Sequence, residues 1–219
     1  MARARLGAHV GLACLTLALC ASVVRAGAPP LMPARFGADA VVAWPPSSGL
    51  VVAEIVTGGA SASDEYVELS NVGASPADLM GLEVAYVTSS GSTVTRKATW
   101  ASSLLVEPGR HVLIANSSGV FASGADATYS GGFAATGGAL VLRPVGGTPI
   151  DAIGWGDAAN AFVEGSAAPA PAAGSSIERR PGGAGGNLQD TNDNLGDVVV
   201  NGTPNALASS RAMPRTDTA

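Results

Sequence analysis

Three glutamates stand close together in a stretch that reads as two paired strands: Glu54, Glu65 and Glu68. Glu54 lies in Leu50-Val51-Val52-Ala53-Glu54-Ile55-Val56, and the other two in Glu65-Tyr66-Val67-Glu68-Leu69-Ser70. If these strands pair, Glu54 and Glu68 approach one another across the ladder. Paired carboxylates can perform acid–base catalysis or hold a hard cation, so the trio is a candidate ligand-binding site. The competing reading is that each accepts hydrogen bonds from a loop or lies solvated on an outer face. Like charges held together need a partner.

A second candidate is Asp190-Thr191-Asn192-Asp193-Asn194-Leu195-Gly196-Asp197. Asp190, Asn192, Asp193, Asn194 and Asp197 supply the oxygen ligands that calcium takes. An EF-hand loop also needs glycine at its sixth position and glutamate at its twelfth. Leu195 and Asn201 stand there. The segment therefore reads as Asp/Asn turn chemistry, with a calcium site of another type as its functional alternative. No other cofactor is expected.

His111 is the only histidine beyond residue 26. One histidine without cysteine does not make a zinc site. No serine lies in a Gly-x-Ser-x-Gly setting that would give it a nucleophile's role. His111 opens a strand after a turn and is expected as a surface imidazole. Trp44, Trp100 and Trp155 would form a sugar-stacking platform if exposed. Trp100 and Trp155 end strands and are expected to cap the core, whereas Trp44, beside Pro45 and Pro46, is expected at the surface.

The chain has 219 residues, 12 basic and 17 acidic. Arg3 and Arg5 precede an apolar run from Val10 to Val24, and Val24-Arg25-Ala26 fits a cleavage site. Residues 1–26 are thus expected to be a secretory signal peptide cut after Ala26, because the run is too short to span a bilayer. The expected location is secreted or periplasmic. Both cysteines, Cys14 and Cys20, fall inside this segment, so the exported chain has none for disulfides or thiol catalysis. Without residues 1–26, nine basic and 17 acidic side chains remain, a net charge of −8. That balance opposes nucleic-acid binding. No later apolar run is long enough to cross a membrane as a helix.

These candidates need a scaffold. Residues 27–48 are rich in proline and alanine and read as a linker. From residue 49 the pattern changes to short period-two segments separated by turns. They are 50–56, 65–70, 82–87, 93–100, 111–115, 139–143 and 150–156, with 175–180 as one more strand returning to the sheet. A short helical turn is expected around Val120 and Phe121. Nothing reads as a long amphipathic helix. The expectation is an all-β, antiparallel β-sandwich over 49–205. Residues 206–219 are expected to form a disordered tail.

The order of segments resembles the lamin tail domain family. Val51 to Ile55, then Glu65-Tyr66-Val67-Glu68-Leu69-Ser70-Asn71, then Asp78-Leu79-Met80-Gly81-Leu82 match its opening strands. Leu105 to Gly109 with Val112 to Ala115, Gly137 to Leu142, and Ile150 to Gly156 match the later ones in order. Ser176-Ile177-Glu178-Arg179 and the Asp190–Asp197 stretch look like the closing motifs of bacterial members. Met80 departs from the family pattern by replacing a small polar residue, and Leu82 and Val198 stand where aromatics are usual. The resemblance implies an immunoglobulin-like sandwich acting as a non-catalytic binding or structural module. Its partner would be an exported protein or a polysaccharide, contacted through loops. A carbohydrate-binding module and a small calcium-dependent hydrolase are the alternatives.

Overall fold

The computed structural model describes residues 42–209. The expected signal peptide and its cleavage site lie outside them. Among the described residues no helix is long and apolar enough to cross a membrane.

Twelve short strands form an all-β sandwich. They are β1 (Leu50–Thr57), β2 (Glu65–Asn71), β3 (Ala77–Asp78), β4 (Leu82–Thr88), β5 (Val94–Thr99) and β6 (Leu105–Val106). The second half adds β7 (His111–Asn116), β8 (Ala127–Tyr129), β9 (Gly137–Pro144), β10 (Asp151–Gly156), β11 (Ser176–Arg179) and β12 (Val198–Asn201). One sheet has the order β12-β11-β1-β2-β7-β8, the other β10-β9-β4-β5, and β3 pairs with β6. Every pairing is antiparallel except β7 with β8. The helical turn expected near Val120 and Phe121 is a single 3₁₀ turn at Ala122–Gly124. The only α-helical turn among the described residues is Asn194–Asp197.

The core lies between the sheets. Val52, Ile55, Val67, Leu69, Val112, Ile114 and Ile177 meet Val84, Tyr86, Leu140, Leu142, Ile153 and Trp155. A bulge in β1 decides what faces outward. The register slips between Val52 and Glu54, so Val52 and Ile55 both pack inward although they are three residues apart. Glu54 is thereby set opposite Glu68.

Neither outer face is simply solvated. Trp44 and Phe162 pack on Ala85, Val87, Val141 and Ala152 behind the four-stranded sheet. Phe121, Ala206 and Ala208 pack on Val56, Tyr66, Leu113 and Ala115 behind the six-stranded one. This explains why β1, β2 and β7 are buried along their whole length. Trp44 was expected at the surface; it is buried, and its indole N–H donates to Glu164 at 2.9 Å. The neighbouring prolines set its backbone but do not hold its ring in water. Of the expected tail, Ala206 to Ser209 lie along the sheet, and the rest falls outside the described residues.

Candidate functional site

The glutamate trio divides between two places. Glu54 and Glu68 share the outer face of the six-stranded sheet with Glu178, the partner of Glu54 on β11. All three are buried. The extended segment 205–209 crosses this face as a strap. Asn205 N–H donates to Glu54 at 3.3 Å and Leu207 N–H to Glu68 at 2.6 Å. Ser209 N–H donates to Asp126 at 2.9 Å. Alternate amides of one extended segment thus point at carboxylates, as a two-residue repeat requires. The Ser176 hydroxyl also donates to Glu54. Glu178 accepts from Gly183 N–H at 2.9 Å and from the Asn187 and Asn201 amides. Burial, reinforced by the Glu68 charge, pushes Glu54 up to about 7.

His111 was expected to be a surface imidazole. It is buried on the same face, with Nδ1 2.7 Å from Glu68 Oε1. Strand β7 has no solvated face, because the strap and its neighbours cover the outer one.

Glu65 lies on the inner side, at one end of the sandwich. Its Oε1 accepts Phe133 N–H at 2.8 Å and its Oε2 accepts the Asn116 side-chain amide at 3.0 Å. Burial raises its pKa, while these two donors and the Lys97 charge oppose the rise. Lys97 closes this end, with its ammonium over Tyr129, Phe133 and Tyr86.

The Asp/Asn-rich segment is folded around Arg179, a residue the sequence reading left unassigned. Arg179 is fully buried. Its Nη2 donates to Asp151 and lies 3.6 Å from Glu164; its Nη1 lies 3.5 Å from Asp190 and 3.6 Å from Asp197. Nε donates to Val52 O at 3.0 Å and Nη1 to Gln189 O at 2.8 Å. One guanidinium thus ties β11 to β1, to β10 and to the 189–197 loop. Asp151 is pushed well up by burial and Glu164 up to about 7, in both cases against the pull of Arg179.

The other members of that loop have internal partners. Asp197 accepts Thr191 N–H at 2.7 Å, the Thr191 hydroxyl and Asp193 N–H. Asn194 accepts Gly154 N–H at 2.8 Å and Glu164 N–H at 3.0 Å, and donates to Ala152 O and Glu164. Asp193 accepts Ser166 N–H at 3.1 Å, and Asn192 donates to Trp44 O at 2.6 Å. Oxygens of Asp151, Glu164 and Asp190 lie within 4.8 Å of one another, a spacing that suits a cation. The positive charge that sits among them is the guanidinium of Arg179. Asp151 and Glu164 were not among the sequence candidates. The signal was Arg179 itself, two residues after the inward-facing Ile177 on one strand, since a buried arginine needs carboxylate partners.

Residues 45–157 match the Lamin Tail Domain family, which is just over half of the chain. The chain belongs to the lamin tail domain family. It is also similar in structure to a DUF4876 family protein from Bacteroides thetaiotaomicron. That likeness has a TM-score of 0.55 at 14% identity and covers 77% of this chain and 75% of the other. At that identity it supports the fold alone. No curated protein matches. Arg179 and the 189–197 loop fall beyond the matched residues, so the family strands and the closing segment are joined through the Arg179 ion pairs.

Proposed function

We propose that this lamin tail domain chain is an exported, non-catalytic module that binds a protein partner of the envelope or extracellular space through one apolar end of the sandwich. The observation that carries this is a group of exposed apolar side chains on neighbouring segments, two loops and the short strand β6. Met80, Leu105 and Val145 are 57%, 58% and 50% exposed. These segments are held together by Leu79 N–H to Leu104 O, Gly81 N–H to Trp100 O, and Val145 N–H to Gly81 O. Beside them a cavity of about 230 Å³ is lined by Leu104, Leu105, Val106, Glu107, Arg110 and Val112. Grouped exposed apolar residues on a rigid sheet mark interaction sites. Met80 is also the position where the chain departs from the family's small polar residue.

Two further observations favour a protein over a polysaccharide or a hydrolytic substrate. Trp44 and Trp155 are buried and Trp100 is half-buried against the core, so the three tryptophans do not form a joint platform for a sugar. Glu54, Glu65 and Glu68 are buried beneath backbone and side chains.

The test is a photo-crosslinker placed at Leu105 in the full chain, expressed in its own envelope and secreted fractions. One protein adduct is expected, lost when Met80→Asp is added. Adducts insensitive to Met80→Asp, together with retention on a glycan panel, would move the assignment to the carbohydrate-binding alternative.

A further inference from the structure

The chain has one lysine, Lys97. It stands on β5, an edge strand whose neighbours Val94, Thr95 and Arg96 are exposed, yet it is only 6% exposed itself. Its Nζ lies 4.8 Å from the Tyr129 ring centre, 5.3 Å from that of Phe133 and 5.7 Å from that of Tyr86. It donates to Gly132 O at 3.2 Å and Ser130 O at 3.5 Å. The carbonyl between those two, that of Gly131, accepts the side-chain amide of Asn116 at 3.2 Å. The amine of β5 and the amide of β7 are therefore held on three consecutive carbonyls of one turn. Gly131 permits that turn with a φ of +71°.

We propose that Lys97 and Asn116 are joined by an isopeptide bond between Nζ and Cγ, with Glu65 as the acid–base group. The bond ties the four-stranded sheet to the six-stranded one.

The chemistry needs four things, and each has a residue. The nucleophile is Lys97 as a neutral amine, reached when its proton passes to Glu65; burial lowers the pKa of Lys97 and raises that of Glu65, which favours this transfer against the attraction between the two charges. The electrophile is the Asn116 amide carbon. Its Oδ1 accepts Ser118 N–H at 3.1 Å, a donor placed for the oxyanion that forms when the amine adds. The acid–base group is Glu65, whose Oε2 is 3.0 Å from Asn116 Nδ2, the leaving nitrogen. Finally, Tyr86, Tyr129 and Phe133 exclude water, which would otherwise stabilise the ammonium.

The step balances without an oxidant or cofactor. Nζ swings from its carbonyl partners and forms a bond to Cγ. Glu65 gives its proton to Nδ2 as the Cγ–Nδ2 bond breaks, and takes the proton that Nζ sheds. Ammonia leaves. Cysteines occur only at positions 14 and 20, so no disulfide can tie the two sheets, and this bond would serve in its place.

The test is the intact mass of the purified chain under denaturing conditions. The expected mass lies below that calculated from the sequence of the same residues by about 17 Da, the mass of the ammonia lost in amide transfer. Fragmentation should find a branched peptide joining Lys97 to Asn116. Lys97→Arg, which keeps a cation over the rings, and Glu65→Gln should each restore the full sequence mass. A wild-type chain at full sequence mass overturns the proposal. So does a deficit that maps to Asn201-Gly202, where an Asn-Gly pair loses ammonia by cyclising, and that persists in Lys97→Arg.

Discussion

Glu54 and Glu68 stand directly opposite one another on β1 and β2, and both are buried. Two carboxylates so placed repel, and burial adds to the cost of charging them. Glu54 carries the consequence, with a pKa raised from 4.5 to about 7. A carboxyl raised in the folded state binds more protons folded than unfolded between those values. Its contribution is fully present below about pH 4.5 and is lost as pH rises through about 7. Melting curves from pH 4 to 8 should show a declining stability whose slope Glu54→Gln reduces, the remaining slope belonging to Asp151 and Glu164, and the variant should be more stable than wild type at pH 8 by a few kcal/mol. Parallel curves for the two proteins would show that Glu54 is already ionised at neutral pH.

The strap should matter through its amides as well as its alanines. Leu207 N–H donates to Glu68 at 2.6 Å, and Ala206 and Ala208 are buried on either side. Leu207→Pro removes that donor, and proline restricts the residue before it to extended backbone, which the strap already approximates. Leaving a buried carboxylate short of one donor costs about 1–3 kcal/mol. Denaturant titration at pH 7 should show that loss, and Leu207→Ala should show much less. Equal effects from both would assign the strap's role to the leucine side chain.

The strands were legible because their apolar runs and turns are local. Leu50 to Val56, Glu65 to Ser70 and His111 to Ala115 were placed within a residue of β1, β2 and β7. The pairing of Glu54 with Glu68 was legible for the same reason. What covers the outer faces was not. Trp44 reaches Glu164 across 120 residues and Leu207 reaches Glu68 across 139, and no local pattern encodes contacts of that separation. His111 and Trp44 were misplaced for this reason. A strand buried on both faces loses its alternation. The near-continuous run Leu50–Val56 was the one sign of it in the sequence.

Gly138 is a close-approach glycine in the aromatic end of the sandwich. A Cβ there would lie 2.4 Å from the Tyr86 ring and 2.9 Å from Val87 O. Tyr86 cannot yield freely, because its hydroxyl donates to Gly137 O and accepts Ala134 N–H. Gly138→Ala should therefore destabilise the fold by about 1–3 kcal/mol, as overpacking does. It should also shift the near-ultraviolet circular dichroism of the Tyr86, Phe133 and Trp155 group. An unchanged melting temperature would mean that the ring moves aside without penalty.

Arg179 offers the largest single effect. Removing one partner of a buried ion pair costs about 3–5 kcal/mol, because the remaining charges stay buried. Arg179→Met leaves Asp151 and Glu164 without the guanidinium that holds their pKa values down, so both rise further. The sign follows: the variant should be least stable at alkaline pH and recover as pH falls and those carboxyls protonate. Arg179→Lys keeps the charge but not the fork that reaches Val52 O, Gln189 O and Asp151 together, and should recover only part of the loss. If calcium were the natural occupant among Asp151, Glu164 and Asp190, Arg179→Met should bind it and regain stability on its addition. Stability of Arg179→Met that follows pH but not calcium would leave the guanidinium as the cation for which these carboxylates are arranged.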